Sequence, residues 1–109
     1  MRPSTAQITA QLTLTTGFQQ VIAVYPFAFL RIKRIHLCNT SSSPVTVSIC
    51  FVPGGGAAGQ GNAALWNFSL AGNDFIEWGK DELLPAGTVI SALAGTGAVI
   101  NLFFSGEGI

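Results

Sequence analysis

The chain has 109 residues, of which 49% are hydrophobic, 10% aromatic and only 9% charged, against about 25% charged in an ordinary soluble domain. A chain of this length buries only about two thirds of its unfolded surface, which excludes a second domain and leaves too few charges to cover an isolated sphere. Five Lys and Arg balance five Asp and Glu, so no field attracts a polyanion through counterion release, and nothing repels a second copy at neutral pH.

Residues 1–11 read as an N-terminal arm or edge strand, and Met1 to Thr9 holds no apolar signal-peptide core, which predicts cytoplasmic synthesis. From there on, short runs of alternating apolar and polar residues predict eight strands, near residues 6–14, 18–25, 28–39, 44–52, 63–70, 74–79, 87–94 and 98–105. Clusters of Gly, Pro, Asn and Ser separate them, and no run has the 3.6-residue period of a helix. The expected fold is all-β, a single-domain antiparallel β-sandwich over residues 1–109, jelly-roll-like, with about eight strands. Alternation leaves the strand order open. Several runs, notably 18–29 and 99–104, are apolar on both parities, so the second face needs a cover.

In the third run Leu30 and Ile32 share one parity and Ile35 and Leu37 the other, which predicts a β-bulge at Lys33-Arg34. The fourth run places Val45, Val47, Ile49 and Phe51 inward, with Thr46, Ser48 and Cys50 outward. A hairpin turning through residues 39–44 would leave Cys38 and Cys50 about 13 Å apart at the usual strand rise, beyond disulfide reach, so two free thiols are expected.

After the fourth strand, Val52-Pro-Gly-Gly-Gly-Ala-Ala-Gly-Gln-Gly-Asn62 contains a literal G-x-G-x-x-G in Gly54, Gly56 and Gly59. A phosphate cradle needs a helix to open at the third glycine. The chain beyond Gly59 instead has the strand parity of Ala64, Trp66, Phe68 and Leu70, without a phosphate-binding lysine, so the segment reads as a mobile or partner-contacting loop. Gly72-Asn73 and Thr96-Gly97 carry the chemistry of tight hairpin turns, and Pro85-Ala86-Gly87 that of a reversal. The uncharged stretch from Ala86 to Phe104 reads as two strands of a hairpin rather than a membrane helix.

The raw materials of catalysis are sparse. His36 is the only histidine and has no acidic neighbour in sequence to orient it, whereas a general base needs one. Asp74 and Glu77 fall on opposite strand faces, Asp81 and Glu82 in a turn, and two cysteines with one histidine do not make a four-ligand zinc site. No enzyme activity, cofactor or metal is expected. The candidates for partner contact are the basic strand positions Arg31, Lys33 and Arg34, the loop positions Gly55, Gly56 and Gln60, and Trp66.

Three stretches carry a resemblance: Leu30 to Ser41 with the adjoining Pro44-Val-Thr-Val-Ser-Ile, then Leu84-Pro-Ala-Gly-Thr-Val-Ile90, then Val99-Ile-Asn-Leu-Phe-Phe-Ser-Gly106. Across residues 29–106 the chain resembles small β-sandwich structural proteins of tailed bacteriophages, which decorate and cement capsids or serve as tail modules. It departs from them at Thr88, where an acid often follows Ala-Gly. The resemblance implies a virion structural protein. It would be a decoration (cement) protein on the capsid exterior, bridging major capsid subunits, with the major capsid protein and copies of itself as partners and no direct nucleic acid or membrane contact. The alternative it implies is a tail or receptor-binding module for a host-surface glycan, with Tyr25 or Trp78 as an aromatic platform.

Overall fold

The computed structural model describes residues 6–24, 28–54, 56–79 and 82–109. They form nine strands: β1 Ala6–Thr13, β2 Gln19–Ala23, β3 Phe29–Asn39, β4 Val45–Val52, β5 Ala63–Leu70, β6 Phe75–Trp78, β7 Leu83–Pro85, β8 Val89–Ala94 and β9 Ile100–Gly108. One sheet, A, has the order β1-β9-β3-β6, with β7 also paired to β3; the other, B, has the order β2-β8-β4-β5.

The antiparallel pairs are nested. β1 lies on β9, β2 on β8, β3 on β6 and β7, and β4 on β5. The chain thus forms one long antiparallel ribbon that rolls up until β3 meets β9 and β4 meets β8. That is the jelly-roll arrangement of an antiparallel sandwich.

The inner faces obey the alternation. Ile32, Ile35, Leu37, Leu102 and Phe104 of sheet A meet Val47, Ile49, Ile90 and Ala92 of sheet B, all at most 2% exposed. Between Ile32 and Arg34 the β3–β9 register shifts, so the expected bulge is present and returns both apolar pairs to the core. Gly106 is required beside it: a Cβ there would stand 2.9 Å from the Phe104 ring and 2.6 Å from the Arg31 carbonyl oxygen.

Four expectations are corrected. The segments at Gly72-Asn73 and Thr96-Gly97 are not hairpins, because β5 and β6, like β8 and β9, belong to different sheets. Asn73 does take positive φ, at 55°, whereas at the second site the positive φ, 63°, falls on Ala98 rather than on Thr96 or Gly97, and both segments steer the chain across the sandwich. β3 and β4 also lie in opposite sheets, so Cys38 and Cys50 are not hairpin neighbours; both are free. Directly after Glu82, in a stretch where no strand is expected, lies the short strand β7, and the last strand runs on to Gly108.

The fourth correction concerns Ser48 and Cys50, which stand on the outward parity of β4 as expected but are covered there rather than solvent-exposed. Cys50 lies under the glycine loop, its thiol 3.4 Å from the Gly59 carbonyl oxygen. Burial pushes the Cys50 thiol pKa up, against a smaller opposing effect of that hydrogen bond, and the thiol stays protonated and unreactive near neutral pH. Ser48 Oγ accepts a 2.9 Å bond from the Asn67 N–H, where β5 kinks with φ 48°.

At one end of the sandwich Asn39 ties three segments together. Its Nδ2 donates to the carbonyls of Ser43 at 2.8 Å, Leu70 at 3.0 Å and Ala71 at 3.3 Å. Its Oδ1 accepts from the Ser41 N–H at 3.0 Å and the Ser41 hydroxyl at 2.8 Å. Asn39 is fully buried, so these bonds are made away from water.

Candidate functional site

The two outer faces of the sandwich differ in charge. The four strands of sheet B contain no Asp, Glu, Lys, Arg or His, whereas Arg31, Lys33, Arg34, His36, Glu77 and Glu107 all lie in strands of sheet A. The sequence carries this division openly, since residues 40–73 and 83–106 have no ionised side chain.

On sheet A the register builds rows of outward side chains. One runs Gln11, Phe103, His36, Glu77, and the next Thr13, Asn101, Cys38, Phe75. Although His36 has no acidic neighbour in sequence, Glu77 supplies one from the facing strand, 41 positions away. His36 Nδ1 stands 3.2 Å from Glu77 Oε1, and the His36 ring stacks on Phe75 at 5.2 Å.

Arg34 Nη1 also approaches Glu77 at 3.8 Å, while Arg31 and Lys33 approach Glu107 at 3.6 and 3.7 Å. These pairs are half exposed and each contributes about 0–1 kcal/mol. They keep this face solvated. Between the rows runs a shallow groove of about 400 Å³, lined by residues including Gln11, Arg34, His36, Glu77, Asn101 and Phe103. Among the described residues no cluster of His, Cys, Asp and Glu could hold a metal ion, and the groove's lining also includes the free thiol of Cys38, two positions from His36 on β3.

On sheet B the outward row is Phe18, Leu93, Ser48, Trp66. Gln19 pairs with Ala92, and Leu93 with Ser48, which sets their level. β2 and β5 are the two edges of this sheet, about 14 Å apart at ordinary strand spacing. Yet the Phe18 and Trp66 rings stack at 6.4 Å, tilted by 27°. Both rings therefore lie over the two middle strands. Phe18 and Trp66 remain 37 and 38% exposed, which makes an aromatic surface on a sheet whose strands carry no charge, whereas Phe68 pairs with the inward Val47 and so stands on the inner side of the β5 edge.

The glycine loop borders this face. After Gly59 comes a single 3-10 turn, Gln60–Asn62, and then β5. Asn62 closes the loop, accepting from the Gly59 N–H at 3.1 Å and donating to the Ala57 carbonyl at 2.9 Å. No α-helix opens there, only the single 3-10 turn with Gly59 at its N-cap. The loop serves as a cover for Cys50.

The contact candidates divide accordingly. Arg31, Lys33 and Arg34 stand on sheet A, Gly56, Gln60 and Trp66 on the sheet B side, and Gly55 lies outside the described residues. Tyr25 also lies outside them. Trp78 is no exposed platform: it faces inward and meets Phe51 of the other sheet at 5.5 Å. Sequence reasoning misses Phe18 and Leu93, whose signal is the apolar residues on both parities near the second and seventh predicted strands.

No protein-family model matches the sequence, and no curated protein does. Solved structures do match in fold. A chain from the capsid of Helicobacter pylori bacteriophage KHP30, a structure described as acid-stable, superposes with a TM-score of 0.65 at 11% identity, covering 100% of this chain and 90% of that one. A chain from Bacillus endospore appendages, described as disulfide-linked pili, gives 0.56 at 16% identity, covering 95% and 83%. At these identities the likeness is one of fold: the described residues form an all-β sandwich of a kind also built into a phage capsid and a bacterial appendage.

Proposed function

We propose that the protein is a non-enzymatic virion structural protein, a decoration or cement protein that is made in the host cytoplasm and seats on the capsid exterior. The observation that carries this reading is the segregation of charge. Sheet B presents the stacked Phe18 and Trp66 with no ionisable group on any of its strands beyond the buried Cys50 thiol, while sheet A holds paired charges that suit water. The uncharged face seats against the major capsid protein across a subunit boundary, and the charged face remains outside. A contact that spans two capsid subunits resists their separation, which is how such a protein stabilises a filled head. The whole-length fold likeness to a chain of a phage capsid supports the reading.

A second reading has one observation in its favour. The groove on sheet A combines an aromatic ring, Phe103, with Gln11, His36, Glu77 and Asn101, a polar and aromatic mixture suited to a sugar, as a tail or receptor-binding module would need.

One experiment separates the two. Purified protein is mixed with capsids that lack it, and the complexes are imaged and their stoichiometry measured. Saturable binding over the whole shell, with greater resistance of the capsid to heat, is the expected result. Occupancy of a single vertex, or binding to host-surface glycan but not to the shell, favours the tail module and overturns the decoration reading.

A further inference from the structure

Each sheet of the sandwich has two edges, and three of the four are blunted. On sheet A the far edge consists of β6 and β7, only four and three residues long. On sheet B, β2 is five residues long with a register shift between Gln20 and Ile22, and β5 is kinked at Asn67 and shifts register twice against β4. Short length and bulges are how sandwiches keep their edges from pairing with other chains.

The fourth edge has none of these protections. β1 runs eight residues in unbroken register on β9, from Ala6 opposite Gly108 to Thr13 opposite Asn101, with no charge, proline or bulge. Among the described residues nothing pairs with its outer side. Leu14 fixes the direction of its free groups: the Leu14 N–H donates to the Ile100 carbonyl at 2.9 Å, and the Leu14 carbonyl accepts from the Ala98 N–H at 3.1 Å. By the two-residue period, Leu12, Ala10 and Ile8 also turn their backbone groups toward β9. Gln7, Thr9, Gln11 and Thr13 turn theirs toward the open edge.

We infer that β1 is the site of strand addition between two copies of this chain, pairing antiparallel with β1 of the second copy about a two-fold axis at Ala10. In that register Gln7 meets Thr13, Ile8 meets Leu12 and Thr9 meets Gln11, so apolar side chains face apolar ones and uncharged polar side chains face each other. The four outward-turned residues of each copy form about eight hydrogen bonds, and Ile8, Ala10 and Leu12, which are only partly buried, gain the cover of the second core. Neither copy brings a charge to the seam, which is the condition under which a strand tolerates its own copy as neighbour. The two sheets A become one continuous sheet. The pairing is independent of the capsid reading, because it rests on the edge alone and requires no lattice.

Sedimentation of the full chain and of three variants tests it. The parent is expected to be a dimer. Thr9→Pro removes an N–H that points away from β9 and leaves the internal ladder intact, so the expected result is a monomer with an unchanged circular dichroism spectrum. Should that proline disturb folding, Thr9→Lys with Gln11→Lys places two like-charged pairs across the seam and is expected to give the same monomer. In the third variant, Ala10→Cys in a Cys38→Ser background, the two new cysteines are a non-hydrogen-bonded pair with Cα atoms about 4.5 Å apart, within disulfide reach, and mild oxidation is expected to link them. A monomeric parent, a dimer that survives both seam variants, or an Ala10→Cys protein that does not cross-link overturns the inference.

Discussion

Replacing Asn39 by Asp is expected to destabilise the protein by roughly 3 kcal/mol or more, the range for leaving buried polar groups unpaired and burying an uncompensated charge. The substitution changes almost no volume, so packing does not enter. The Asn39 Nδ2 faces three carbonyl oxygens, those of Ser43, Leu70 and Ala71, and a carboxylate would turn an acceptor toward acceptors. The pH dependence has a definite sign. Such a carboxyl would have its folded pKa raised above the unfolded value of about 3.9, so its contribution to stability is greatest below that value and is lost as pH rises toward the folded pKa. Chemical denaturation at neutral pH and near pH 3 measures both parts: a large loss at neutral pH and a smaller loss in acid. Asn39→Asp as stable as the parent at neutral pH would show that the bonds joining the 41–43 loop to the end of β5 contribute little.

The second large effect is expected on binding. Trp66→Asp should weaken attachment to the shell by about 100-fold or more, since a carboxylate would then be desolvated against an uncharged surface without a partner, beyond the loss of an aromatic anchor. Trp66 is 38% exposed and stacks on Phe18, so the fold should tolerate the change, and the melting temperature is the control. Arg34→Asp, on the opposite face, should leave attachment within a few-fold of the parent. Titration of each variant against capsids reads the difference.

Much of the fold is legible in the sequence because alternation is a local property. The eight predicted runs coincide with observed strands to within a few residues, and the bulge at Lys33-Arg34 can be read from the parity switch between Ile32 and Ile35. Sheet membership is not legible. Gly72-Asn73 and Thr96-Gly97 have the backbone freedom of hairpin turns, and that same freedom serves a crossing between sheets, so the turn residues do not reveal which one the chain makes. Parity alone places Ser48 and Cys50 outward. It does not register that β5 kinks at Asn67 to bond Ser48, or that the glycine loop folds back over Cys50.

The site is partly legible. The long uncharged stretches are visible, but only the strand order shows that they supply β4, β5 and β8 of sheet B, joined there by the equally uncharged β2, and that the charges of Arg31, Lys33, Arg34, Glu77 and Glu107 share the other sheet. The pairing of His36 with Glu77 depends on the β3–β6 register, and the Phe18–Trp66 stack on two opposite edges of one sheet. Neither can be read from neighbours in sequence.

The central claim is that the uncharged face of sheet B is the covered one in the working state. Hydroxyl-radical footprinting of the protein bound to capsids, compared with the free protein, tests it most directly. Strong protection of Trp66 and Phe18, with Phe75, His36 and Phe103 as reactive as in solution, is the expected result. Protection of the sheet A residues with Trp66 left reactive would contradict it.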